Sequence, residues 1–459
     1  AVAAGVRDHR ESVLRQRDAD LRQLPVNISF TKHTLANGLD VLLHEDHACP
    51  IVAVNVWYHV GSKNERPGHT GFAHLFEHLM FEGSQHHDHG YFQPLQGAGA
   101  TLNGSTNADR TNYWEVVPSG ALELALWMES DRMGYLLPAL TEAKFSNQRD
   151  VVLNERRQNY ENRPYGLAPM ALLSTLYPPD HPYSWTTIGE IADLQAVRLD
   201  EVHAFFRRYY HPANASIALA GDIDSASALA LVDRYFGEIE AGERVEPVHA
   251  TATLPGQVRV FIEDRVELPR LYMTWHTPAM FASGDADLDL ATDLLANGKT
   301  SRLYRRLVFD ERIATDVSAS QNSREMAGYA QITATAAPGH TLAEIERTIL
   351  EEISTLAAGG PTDQEIERGR VQAEAQFMFR LQTVGGFGGK SDQLNAYNVF
   401  LKDPAYFDRD LARYQVVTHD SLQHTAARFF DPERRATLSI VPKGRTTLAA
   451  PDSTRAVVS

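Results

Sequence analysis

Cysteine is almost missing from this sequence. Cys49 stands alone among 459 residues, which rules out an intramolecular disulfide and any zinc site built on thiolates. No apolar run approaches the roughly 20 residues needed to cross a bilayer, so no membrane span is expected. Positive charge is short as well: 43 Lys and Arg stand against 59 Asp and Glu, a formal charge of −16, and no Lys/Arg run concentrates it. Phosphate binding needs a basic face, so nucleic acid is not an expected partner. The chain opens on Ala1-Val2-Ala3-Ala4 without Met. Small residues there fit what a signal peptidase leaves behind, and the expected compartment is the periplasm, with cytoplasm or mitochondrion as alternatives. The rest, 43% hydrophobic and 22% charged, is the balance of a globular protein, long enough for about two to four domains.

Against this background one stretch stands out, from Thr70 to Gly83. Thr70 and Gly83 suit the two ends of a helix. Phe72, Leu75, Phe76, Leu79, Met80 and Phe81 make it apolar nearly all the way round, and a helix hydrophobic on every face is buried. His74, Glu77 and His78 interrupt it at i, i+3 and i+4, on one face. Burying them unpaired costs roughly several kcal/mol, and a divalent metal on that face removes the cost. The pattern is His-x-x-Glu-His, the inverse of the His-Glu-x-x-His zinc-protease order. Two imidazoles one turn apart can ligate a metal while the carboxylate handles a proton. The plain alternative is a pair of core histidines bonded to carbonyls.

Residues 6–24 carry Val6, Val13, Leu14, Leu21 and Leu24 among many charges, the pattern of a surface helix. Short strands follow. Asn37-Gly38 turns the chain between 34–35 and 39–43, and Ile51 to Val60 alternates as a strand. His86, His87 and His89 read as a solvated loop. Leu102–Thr106 and Thr111–Val117 form a hairpin whose first arm is too polar for a central strand. As an edge, it could pair with an extended peptide. Helices are expected at 119–135 and 142–162, the second stopped before Pro164. On the second, Val151, Val152 and Glu155 share a face. An inward Glu needs a partner, and a catalytic zinc needs a third protein ligand. A salt bridge with arginine is the alternative for Glu155, and Glu161 competes for the ligand role.

The second half repeats the first. Asp46 and Asp264, Trp57 and Trp275, Thr141 and Thr362, Asp200 and Asp420, and Pro212 and Pro432 are each separated by about 220 residues, the mark of an internal duplication. The second copy lacks the metal residues: 287–295 contains no histidine, and Gln376 stands near the counterpart of Glu155.

From Thr31 to Pro442 the chain resembles the pitrilysin family of zinc peptidases, which includes insulin-degrading enzyme and the mitochondrial processing peptidase, and it has the size of the family's half-length subunits. That resemblance implies an α+β fold: two homologous domains, each a mixed, largely antiparallel sheet packed with helices, together half of a clamshell. The domains expected are an N-terminal helical extension over 1–30, a zinc-binding domain over 31–240, a linker over 241–256, a second domain without metal over 257–445 and a polar tail over 446–459. By resemblance His74, His78 and Glu155 hold one zinc ion per chain, Glu77 activates the water, and Asn103, Gly104 and Ser105 belong to the strand that pairs with substrate. Three positions depart from the family pattern. Gln148 stands where the family has a glutamate, seven residues before the ligand glutamate, that helps orient a ligand, and Val308 and Thr315 stand where it has an Arg and a Tyr that grip the substrate carbonyl. The expected function is a zinc metalloendopeptidase subunit that cuts extended or unfolded peptides inside a dimer chamber. A homologous partner would supply the Arg and Tyr in a heterodimer, with a homodimer as the alternative. The rival is a non-catalytic structural or chaperone-like subunit of the same fold.

Overall fold

A computed structural model describes residues 28–458, so the expected helix at 6–24 lies outside the described residues. Six strands come from the first half: β1 (Thr31–Thr34), β2 (Asp40–Glu45), β3 (Ile51–Tyr58), β4 (Thr101–Thr106), β5 (Thr111–Pro118) and β6 (Ala215–Gly221). They form one sheet in the order β1-β2-β6-β3-β5-β4. Within it β2 and β6 run parallel and the other neighbours antiparallel. The polar β4 is an edge, as its composition predicts. Alternation sorts the side chains of β3: Val52, Val54, Val56 and Tyr58 join the main core, while Asn55 and Trp57 face the other way.

The second half supplies β7 (Val258–Asp264), β8 (Arg270–Thr277), β9 (Ala314–Asn322), β10 (Gly328–Ala336), β11 (Ala436–Pro442) and β12 (Thr454–Arg455), ordered β12-β7-β11-β8-β10-β9. With β7 standing for β2 and β11 for β6, the two orders coincide outside the first strand. The sequence matches fall on equivalent places. Trp57 and Trp275 lie in β3 and β8. Thr141 and Thr362 cap equivalent helices, their hydroxyls accepting from the N–H groups of Lys144 and Glu365. The symmetry breaks at one edge. There β1 is antiparallel to β2, whereas β12, within the stretch expected as a polar tail, lies parallel to β7. Residues 241–256 carry no helix or strand.

Each half lends a helix to the other half's sheet. Ala168–Leu176 packs through Ala168, Ala171 and Leu172 against Ile262, Tyr272, Leu438 and Ile440 of the second sheet. In return Lys390–Leu401 places Leu394 and Tyr397 against Leu42 and Ala218 of the first. Asp392 on that helix accepts from Trp57 Nε1 at 2.8 Å and from Asn112 Nδ2 at 3.0 Å. The exchange ties both halves into one packed body and sets a wall of the second sheet beside the helix that carries His74 and His78.

Candidate metal centre

The helix carrying the histidines spans Phe72–Leu79. Thr70 does not cap it. Its hydroxyl donates to Asp193 at 2.7 Å, and the helix begins at Gly71, whose φ of 88° a side chain would resist. The cap comes from Glu65, which takes the N–H groups of Gly71 and Ala73 at 3.0 and 2.8 Å and that of Trp185 Nε1 at 3.1 Å. Burial pushes the Glu65 carboxyl up, to about 8, against the pull of these donors. Glu65 lies too far before the helix for local capping rules to mark it.

His74 and His78 point across to Glu155, which sits at the end of the helix Glu142–Arg156. Glu155 Oε2 lies 3.6 Å from His74 Nε2 and 3.3 Å from His78 Nε2. A tetrahedral zinc with bonds of about 2.0–2.1 Å separates its ligand atoms by roughly 3.3–3.4 Å, so Glu155 stands close to that spacing from each imidazole, and all three ligand atoms lie within 4.8 Å of one another. Among the described residues, theirs is the one group of His, Cys, Asp and Glu side chains with metal-holding geometry. Charge states agree. Burial and then the neighbouring His78 lower the pKa of His74, and the hydrogen bond with His78 lowers that of Glu155. Neutral imidazole and ionised carboxylate are the forms that bind metal. Glu77 stands beside them, its carboxyl raised chiefly by burial and pulled back by the Thr106 hydroxyl.

Other expected residues fall elsewhere. Val152 is buried while Val151 is 40% exposed, so the two do not share Glu155's inward face. Glu161 accepts from Arg156 Nε at 3.4 Å and stays outside the metal group. Gln148 lies two turns before Glu155, about 10 Å back along the axis, and its amide donates to Glu82. That corrects the expectation that it backs a ligand: Nδ1 of His74 is buried with no hydrogen-bond partner among the described residues. His86 bonds Asp131 at 2.5 Å, away from the centre.

A cavity of about 750 Å³ opens on His74, Glu77 and Glu155. Ser105 and Thr106 of β4 line it, whereas Asn103 and Gly104 do not. Arg110 takes the Ser105 carbonyl at 2.8 Å, and the Gly104 N–H donates to the Asn103 side chain at 2.8 Å. The edge is thus partly covered by its own side chains.

The description "Insulinase (Peptidase family M16)" matches residues 40–183, and "Peptidase M16 inactive domain" matches 196–372. The chain belongs to peptidase family M16. It is 28% identical over 362 residues to the zinc protease PqqE of Helicobacter pylori, covering 78% of this chain and 81% of that one. A crystal structure of a protease from Helicobacter pylori superposes with a TM-score of 0.83 at 25% identity, over 91% of this chain and 100% of the other. The periplasmic protease PqqL from Escherichia coli shares the fold at a TM-score of 0.74 and 17% identity, over 94% of this chain and 50% of that one. The first M16 match covers both histidines and Glu155, and the inactive-domain match covers most of the copy that lacks them. In that copy the helix Asp285–Ala296 occupies the place of the helix that carries His74 and His78. Val308 packs partly buried against the second core, and the Thr315 hydroxyl donates to Asp316 at 3.1 Å. Neither reaches the cavity.

Proposed function

We propose that this chain is the zinc-binding catalytic subunit of an M16 metalloendopeptidase that cuts extended peptides. The convergence of His74, His78 and Glu155 beside a half-buried Glu77 that stays out of the cluster carries the reading. When bound, zinc would supply Lewis acidity to the scissile carbonyl and make a water easier to deprotonate. Glu77 takes the proton from the attacking water and passes it to the leaving amine, a task that its raised pKa suits. Thr106 holds the Glu77 carboxylate from the β4 side, and the strand edge there orients the peptide backbone. No covalent enzyme intermediate is needed. The inactive-domain description falls on the second half, which fits one copy performing chemistry while the other closes the cavity. The periplasm, the compartment named for the Escherichia coli neighbour, goes with this reading.

Metal analysis paired with peptide hydrolysis tests it. The protein should carry about one zinc per chain and cleave an unstructured peptide. Glu77→Gln should keep zinc and fold but lose roughly 10²-fold or more in turnover. Near-normal turnover in zinc-loaded Glu77→Gln protein removes Glu77 from the mechanism, and a zinc-loaded wild type inert under every condition favours a structural subunit.

A further inference from the structure

The cavity that holds the metal centre has a wall that peptide-bond chemistry alone leaves without a task. Arg270 and Tyr272 on β8, and Tyr329 and Gln331 on β10, line it. Each pair is two residues apart and so faces one side of its strand. Arg163 and Tyr165, from the loop after Glu155, complete it. Arg270 is held in place from two directions. Its guanidinium carbon lies 3.7 Å from the centroid of the Tyr165 ring, and its Nε donates to the Thr335 hydroxyl at 2.8 Å. Tyr165 is itself fixed. Its N–H donates to Asp264 at 2.7 Å and its hydroxyl to the Leu268 carbonyl at 2.9 Å. Its φ of 61° is a conformation that a bulky residue keeps only when its surroundings enforce it.

What Arg270 lacks is a counter-ion in direct contact: Asp316 is reached only through the Thr335 hydroxyl, which donates to it at 3.2 Å. Arg259, Arg302 and Arg413, also partly buried, each meet a carboxylate at 2.7–2.8 Å. Among the described residues no carboxylate lies at ion-pair distance from Arg270 or Arg163. The acidic residues lining the cavity are Glu77 and Glu155, both assigned to the metal chemistry. A guanidinium stacked on an aromatic face and held by hydroxyls of Thr335 and Tyr272, with no carboxylate against it, is a preorganised fork for a carboxylate.

We infer that this wall is a carboxylate-binding subsite, in which Arg270, seconded by Arg163, holds an acidic side chain or the terminal carboxylate of the peptide being cut. The inference rests on the metallopeptidase reading and adds a substrate class to it: peptides carrying a negative charge close to the scissile bond.

The test uses the zinc-loaded full chain carrying Glu77→Gln, so that binding is read without turnover. Three fluorescent peptides of one sequence are titrated by anisotropy: internal Glu with a C-terminal amide, internal Gln with a free C-terminus, and internal Gln with the amide. At least one carboxylate-bearing peptide should bind about tenfold or more tightly than the neutral one, and which of the two does so identifies the source of the charge. Arg270→Gln should bring that ratio close to one, Arg270→Lys should restore part of it, and Arg163→Gln should reduce it less, all at unchanged zinc content. Equal binding of the three peptides overturns the subsite, as does a preference that survives Arg270→Gln or an equal weakening of all three, which would mark Arg270 as a backbone-binding group. Failure of every peptide to bind the zinc-loaded protein removes the peptidase reading along with it. If Arg270→Gln does not fold, the ratio in protein with Arg270 intact and its response to Arg163→Gln still decide.

Discussion

Glu155 and Glu161 sit within two turns of each other on one run of chain, and either could be drawn as a zinc ligand on paper. Their neighbours separate them. Glu155 faces two imidazoles at 3.3 and 3.6 Å and takes a hydrogen bond from Asn159 at 3.2 Å. Glu161 is held by the Arg156 guanidinium. We expect Glu155→Gln to release zinc at least tenfold more readily, because an amide oxygen carries no charge to offset the cation. Glu161→Gln should retain wild-type zinc. Metal content measured after dialysis against a graded chelator checks both, and the reverse order would hand the ligand role to Glu161.

At the scale of elements, the hairpin turn between β9 and β10 reaches back to the first half. Glu325 in that turn meets His59 at 2.8 Å and the buried Lys63 ammonium. Its N–H donates to Asp109 at 3.0 Å, and Asp109 also accepts from the Tyr183 hydroxyl at 2.5 Å. Burial raises the Glu325 carboxyl, but its bond to His59 and the charge of Lys63 outweigh this and lower it to about 2. A carboxyl depressed in the fold stabilises fully above its unfolded value, and that stability drains away as pH falls towards the folded value. The contribution is on the order of 2–3 kcal/mol, and about half of it should be gone by pH 3. Glu325→Gln should therefore denature well below wild type at pH 7, with the gap shrinking between pH 5 and pH 3. A gap that stays constant across that window would show that the turn does not help hold the halves together.

For the whole molecule, the reciprocal exchange of Ala168–Leu176 and Lys390–Leu401 leaves the candidate metal centre facing a sheet that, among the described residues, carries no such cluster. At the two positions where the resemblance expects an Arg and a Tyr to grip the developing oxyanion, Val308 has no donor and the Thr315 hydroxyl is turned to Asp316. Losing one such donor costs about 3–4 kcal/mol in well-studied sites, and a lone chain should be a feeble catalyst. A homologous subunit that keeps the Arg and Tyr would repair this, and mixing it with the purified chain should raise kcat/KM by on the order of 10² or more. Full activity in the chain alone, unchanged by any such partner, would defeat the heterodimer and leave a homodimer or a self-sufficient chain.

Sequence alone determined what depends on spacing and period. Two imidazoles one turn apart on an apolar helix face call for a partner on that face, and a recurrence at about 220 residues calls for the same series of elements twice. The edge position of β4 was legible for the same local reason: it has too few apolar side chains to sit between two strands. Tertiary structure alone decided what depends on distant chain segments meeting. Glu65 capping the metal helix, Gln148 reaching Glu82 instead of a ligand, and Arg270 stacked on Tyr165 all involve contacts that no local pattern encodes. The choice between Glu155 and Glu161 belongs there too. On one helix both glutamates are plausible, and only the crossing of that helix over His74 and His78 brings one carboxylate to ligand distance and leaves the other with an arginine.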